Sequence, residues 1–231
     1  MQPLRIGLIV PSSNTVMEPE FHRHLGEGSI VSTARILLEN VTREAEFQML
    51  DDHLADAIKQ IGTTAPDIAV FGCTSAGALG TLAHDDGIAA RIAKGCNAQA
   101  LTVLGAVLAE LRRIGPRKIA VFTPYIDELT NGIAASLAEA GFAVIKAAGM
   151  GIRSNLEIAR VAPAEIVSFV ESQTDGCAPD CVFLSCTNWR AIDAIEPLRK
   201  KLGIPVVSSN QATINAIGQT HRNPIPAVAG S

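Results

Sequence analysis

The chain of 231 residues has few aromatics, 4% in all, with one Trp and one Tyr. Charge is also modest: 18% of residues are charged, the net charge is −4, and no run of Lys or Arg forms a block. That excludes nucleic acid and acidic membrane surfaces as main partners. No apolar run is long enough to span a bilayer. The start, Met1-Gln-Pro-Leu-Arg, leads directly into a strand-like run that ends in Pro11-Ser12-Ser13. It lacks the longer apolar core and small-residue cleavage site of a signal peptide. The expectation is a cytoplasmic protein whose thiols stay reduced, and the odd count of five cysteines fits free thiols.

Several chemistries lack their residues. Gly72-Cys-Thr-Ser-Ala-Gly77 has neither the spacing nor the Lys of a phosphate loop, and no Gly-x-Ser-x-Gly elbow occurs. His22, His24, His53, His84 and His221 form no ligand pair. The run Cys177-x3-Cys181-x4-Cys186 lacks the close ligand pairs of a zinc site, and Cys181 falls in an apolar strand run. No metal or organic cofactor is expected.

What is present is a repeat. Arg5-Ile-Gly-Leu-Ile-Val-Pro11 resembles Lys118-Ile-Ala-Val-Phe-Thr-Pro124, with Pro11 and Pro124 lying 113 residues apart. Pro66-Asp-Ile-Ala-Val-Phe-Gly-Cys73-Thr74 resembles Pro179-Asp-Cys-Val-Phe-Leu-Ser-Cys186-Thr187, and Cys73 and Cys186 are also 113 apart. Two separated matches in one register point to duplication. In each half, short apolar runs of strand length alternate with helical patterns. Phe47, Leu50, Leu54 and Ile58 keep helical spacing, as do Ile166, Phe169 and Val170. A helix is predicted over 128–140, closed by Gly141. Leu101, Leu104, Val107, Leu108 and Leu111 form one apolar stripe ended by Gly115-Pro116.

Strands alternating with helices imply parallel sheets. The expected fold is α/β: two similar lobes, each a parallel sheet flanked by helices, related by a pseudo-two-fold duplication with the active-site cleft between them. The expected lobes are 1–115 and 116–220, with 221–231 a loose tail. Apolar helices such as 101–114 leave a homo-oligomer open.

Ligands of parallel α/β sheets bind beyond the carboxyl ends of the strands, where Cys73 and Cys186 both fall. Cys96, Cys177 and Cys181 have no Cys at the 113-residue offset and read as packing. A thiol near a helix N-terminus is favoured as thiolate. Thr74 and Ser75, and likewise Thr187 and Asn188, would add N–H, hydroxyl and amide donors for an anion. The matched pair is therefore the catalytic candidate, for a small carboxylic acid.

These residues carry a family resemblance. Gly7-Leu-Ile-Val-Pro-Ser-Ser-Asn14-Thr-Val-Met-Glu18-Pro-Glu20, Ala120-Val-Phe-Thr-Pro-Tyr125-Ile-Asp127 and Leu184-Ser-Cys186-Thr-Asn188 resemble the aspartate/glutamate racemase superfamily. Within it they are similar to the branch of maleate cis–trans isomerases and arylmalonate decarboxylases. The resemblance implies a cofactor-independent site with Cys73 and Cys186 as its two thiols. Decarboxylases of the branch keep only the second cysteine, so Cys73 favours isomerisation of a small dicarboxylate, with maleate leading. Thr74-Ser75-Ala76 instead looks like the decarboxylase pattern.

Asn14, Ser12, Tyr125 and Asn155 join the turns as candidate substrate-binding groups. Each has a blander reading: Asn14 and Ser12 as caps of the next helix, Asn155 as the cap of its own, Tyr125 as a half-buried ring with its hydroxyl in water. The rival functions are an amino-acid or hydantoin racemase using the thiols as acid and base, an arylmalonate decarboxylase-like enzyme, and a two-lobed small-molecule binding protein.

Overall fold

The computed structural model describes residues 3–26 and 28–222. Of the expected loose tail, 221 and 222 close the last helix and the remainder lies outside the described residues. The first sheet holds β1 (Leu4–Pro11), β2 (Ser29–Ile36), β3 (Ile68–Phe71) and β4 (Gln99–Thr102) in the order β2-β1-β3-β4. The second holds β5 (Lys118–Thr123), β6 (Ala143–Gly149), β7 (Cys181–Leu184) and β8 (Val206–Ser208) in the order β6-β5-β7-β8. Every pairing is parallel.

Among the described residues, five helices accompany the strands of each lobe. The first lobe has α1 (Met17–His24), α2 (Arg43–Gly62), α3 (Thr74–Gly77), α4 (Leu82–Cys96) and α5 (Val103–Ile114). The second has α6 (Asp127–Glu139), α7 (Asn155–Arg160), α8 (Pro163–Thr174), α9 (Ile192–Leu202) and α10 (Ser209–Arg222). Among the described residues no helix is long and apolar enough to cross a membrane.

The duplication is kept bond by bond. Ile6 pairs with Ile68 as Ile119 pairs with Cys181. Gly72 N–H donates to Ile9 O at 2.7 Å, and Ser185 N–H donates to Phe122 O at 2.8 Å. Asp67 accepts the strand-start N–H of Arg5 at 2.8 Å, and Asp180 that of Lys118 at 2.9 Å. Both central strands, β3 and β7, are buried along their whole length, as continuous apolar runs in helix-covered parallel sheets must be.

Two expectations change. Leu101 belongs to β4, and the helix begins only at Val103, because the Thr102 side chain caps it by accepting Gly105 N–H at 3.0 Å. The strand's apolar residue had merged with the helix's stripe. The buried face of α2 is Glu46, Met49, Leu50, Leu54, Ala57, Ile58 and Ile61, while Phe47 is only half-buried. A carboxylate thus stands on an apolar stripe. The stripe of α5 is covered within the chain: α10 packs along it, and Asn215 donates to Glu110 at 3.1 Å.

Candidate active site

Each cysteine sits just beyond the central strand of its lobe. Cys73 caps the four-residue helix α3, and Cys186 opens a turn before α9. Gly72 allows the first approach: a Cβ there would stand 2.6 Å from Val10 Cγ1 and 2.8 Å from Met17 Sδ. The turns repeat as the strands do. Ala76 N–H bonds to the Cys73 sulfur, and Trp189 N–H to the Cys186 sulfur. Asn188 N–H adds a third contact, to Cys186 Sγ at 3.2 Å.

Both thiols are buried, 5% and 4% exposed, so the site is closed rather than an open groove. Closure reverses one expectation. Burial first, then the charge of Glu46, push the Cys73 thiol up, against the lowering effect of Ala76 N–H and Ser75. Burial pushes Cys186 up to about 12, although the Tyr125 hydroxyl and backbone N–H groups donate to it. The first turn of a short helix does not outweigh desolvation here.

The candidate binding residues form one network between the lobes. Asn14 Nδ2 donates to Thr187 Oγ1 at 3.0 Å, and Thr187 Oγ1 donates to Gly72 O at 3.0 Å. Asn14 Oδ1 also accepts Val16 N–H and Met17 N–H, so it caps α1 and bridges the lobes at once. Asn188 Oδ1 accepts Thr15 N–H at 2.9 Å, and its Nδ2 donates to Asn155 O at 2.7 Å and Asn155 Oδ1 at 3.0 Å. Asn155 Nδ2 reaches Ser13 Oγ at 2.9 Å; the cap of α7 is Ser154, not Asn155.

Tyr125 is 2% exposed, with its hydroxyl on Cys186 rather than in water. Its pKa is raised by burial and then by the charges of Cys186 and Cys73. Thr74 Oγ1 donates to Ser209 Oγ at 3.0 Å, which brings the start of α10 to the site. Ser12 is engaged elsewhere, accepting Leu38 N–H at 3.1 Å between β2 and α2. The segment after β2 also clasps the one before α7: Asn40 and Ser154 form an antiparallel bridge, with Val41 N–H donating to Arg153 O at 2.8 Å.

Sequence reasoning missed three residues. Asn210 donates to Thr187 O at 2.9 Å and to Glu20 Oε2 at 2.6 Å; burial raises that Glu20 to about 7. Glu46, fully buried, accepts the Ser75 hydroxyl on Oε1, and burial raises it to about 8. Its signal was available, as an acid in register with the apolar stripe of α2. Glu20 entered only as the end of a resembling motif, and Asn210 had no signal, since their partners are distant in sequence. Among the described residues, no group of three His, Cys, Asp or Glu is placed to hold a metal ion.

Cys177 is the one half-exposed cysteine of the five. A disulfide reagent on the native protein is expected to label Cys177 fast and the other four slowly. Cys177→Ala should remove the fast phase. A fast phase that survives that substitution would show that a buried thiol is reached directly.

Two duplicated α/β lobes with one cysteine at the same strand end of each define a class of two-lobed, two-thiol proteins. The model of the arylmalonate decarboxylase family matches residues 6–230, and the chain belongs to that family. A maleate isomerase of Geobacillus stearothermophilus is 27% identical over 226 residues, 92% of this chain and 90% of that protein. The arylmalonate decarboxylase of Bordetella bronchiseptica is 29% identical over 212 residues, 90% of this chain and 86% of that protein. A Cys-to-Ser mutant of Nocardia farcinica maleate cis–trans isomerase, with a covalently bound succinylcysteine intermediate, has the same fold. Its TM-score is 0.87 at 21% identity, covering 95% of this chain and 93% of that one.

Proposed function

We propose that this protein interconverts maleate and fumarate without a cofactor, with Cys73 as nucleophile and Cys186 as proton donor and acceptor. The observation that carries the reading is the pair of buried thiols at equivalent strand ends, with the Tyr125 hydroxyl bonded to Cys186. The relation to maleate isomerases supports the substrate.

In this reading the Cys73 thiolate adds to one alkene carbon. The π electron pair moves toward the carboxylate on the other carbon, giving an enediolate, and the barrier to rotation is gone. Cys186 gives that carbon a proton and forms a succinyl thioether. Rotation about the new single bond, return of the proton to Cys186 and expulsion of Cys73 then leave fumarate. A thiolate is a strong nucleophile, and a thiol exchanges protons readily. The costly species is the enediolate. Fixed donors aimed at it in a dry site, with Tyr125, Asn14, Asn155 and the two turns as candidates, each contribute about 2.7–4 kcal/mol. Substrate entry must part the bonds these groups make to each other.

The test is proton NMR of the protein with maleate in deuterated water. Loss of the maleate signal and growth of fumarate, with nothing else added, is the expected result. No change would exclude maleate. Deuterium appearing at the α-carbon of an amino acid or hydantoin would favour racemisation instead. Decarboxylation is the second reading, favoured by the 29% identity to the Bordetella enzyme.

A further inference from the structure

Glu46 has no part in the mechanism above, and the site explains it poorly as packing. Its side chain is fully buried on the apolar stripe of α2. Oε1 accepts the Ser75 hydroxyl, and among the described residues nothing bonds to Oε2. Among the described residues no cation pairs with it. Arg35 on β2 pairs with Glu18. Arg43 of α2 lies over the Phe47 ring, 5.0 Å from its centroid. On α4, His84 Nε2 bonds to Ala76 O at 3.1 Å and Asp85 accepts from Thr102. The titratable groups that feel its charge are Cys73, Cys186 and Tyr125. A lone buried carboxylate of this kind is costly unless the charge is shared.

Ser75 supplies the sharing. Its Oγ lies 3.7 Å from Cys73 Sγ and also bonds Glu46. A hydroxyl has one proton. When that proton is directed at Glu46, the Ser75 oxygen is left to accept from the Cys73 S–H. We propose that Glu46 is the internal base for Cys73, taking its proton by way of Ser75.

In the step, the Cys73 S–H proton passes to Ser75 Oγ while the Ser75 hydroxyl proton passes to Glu46 Oε1. The S–H electron pair stays on sulfur as the attacking thiolate. Before and after, the three groups together carry one negative charge, so the thiolate forms without adding charge to a dry site. The field of Glu46 on Cys73 then changes sense: it opposes loss of a proton to solvent but drops out when Glu46 itself holds that proton. Glu46 is a positioning residue, acting on the reaction only through Ser75 and Cys73.

The proposal rests on Cys73 being the reactive thiol, and its test needs no maleate. Alkylation of Cys73 by iodoacetamide is followed by peptide mass spectrometry from pH 6 to pH 10 in wild type, Glu46→Gln and Ser75→Ala. The wild-type rate is expected to level off once Glu46 ionises, near pH 8. Glu46→Gln should instead rise about tenfold per pH unit without levelling, and at pH 7 should react at least tenfold more slowly. Ser75→Ala keeps the carboxylate but cuts the relay, and should behave the same way; it carries the test alone if Glu46→Gln does not fold.

A Glu46→Gln protein that levels off like wild type, or reacts faster at pH 7, would overturn the relay. It would mean that the Glu46 charge only suppresses the thiolate. Maleate left unchanged by a wild type with the expected alkylation profile would sink the substrate reading and leave the relay standing.

Discussion

Cys186→Ser lowers maleate turnover by about 10²–10⁴, the usual contribution of a positioned proton donor, and Cys73→Ser removes at least as much. The two losses differ in kind. Without Cys73 no bond forms to carbon, so neither a covalent species nor fumarate appears. Without Cys186 the addition still proceeds, and the serine hydroxyl or water can give the carbon its proton, but no group as basic as a thiolate then takes it back. Cys186→Ser incubated with maleate should therefore gain the mass of one maleate on the Cys73 peptide. The double variant should be no slower than the worse single one, because groups acting as a unit are not additive. Turnover by Cys73→Ser at the wild-type rate would end the two-thiol mechanism. Buried Cys96 and Cys181 serve as controls, since conservative changes there should alter stability before turnover.

Three buried carboxyls are expected to cost the protein stability as pH rises from about 4 to 8, the reverse of ordinary acid denaturation. Burial raises three carboxyls: Asp85 to about 6, Glu20 to about 7 and Glu46 to about 8. A raised carboxyl keeps its proton in the folded state after the unfolded chain has released it. Its stabilising share is complete below the unfolded value and is gone once pH passes the folded value. Each such group contributes a slope of about 1.4 kcal/mol per pH unit inside its window. Glu110, held low by the Arg113 hydrogen bond, and Glu18, held low against burial by Thr33 and Arg35, work the other way and add stability as pH rises.

Urea unfolding at a series of pH values reads the balance. Glu46→Gln should flatten the profile by one proton's slope up to about pH 8, and Glu20→Gln up to about pH 7. Comparing slopes removes the packing cost of either substitution. A Glu46→Gln profile parallel to wild type would mean that Glu46 ionises normally when folded.

Most of the scaffold was legible because duplication wrote it twice. The shared offset located both central strands and selected two cysteines from five, a choice that composition alone could not make. Local patterning was less secure where two elements abut. The Leu101 strand and the Val103 helix share one apolar run, and only the Thr102 cap divides them. The site was legible as residue types at strand ends, but not as a network. Asn14 reaches Thr187, and Thr74 reaches Ser209, across more than half the chain. No spacing rule encodes such pairs. Burial was also invisible: a thiol at a helix start reads as activated until the closed site around it is known.

The packing of α10 against α5 bears on how the protein is made. On the ribosome β1 to β4 and α5 are complete in sequence at Ile114, yet α5 still lacks the helix that packs on it. That cover, α10, starts only at Ser209. The same helix begins with Ser209 and Asn210, which close the bonds to Thr74 and Thr187. A nascent chain therefore holds a half-finished surface until Ser209–Arg222 has emerged, and only then are its two thiols sealed in.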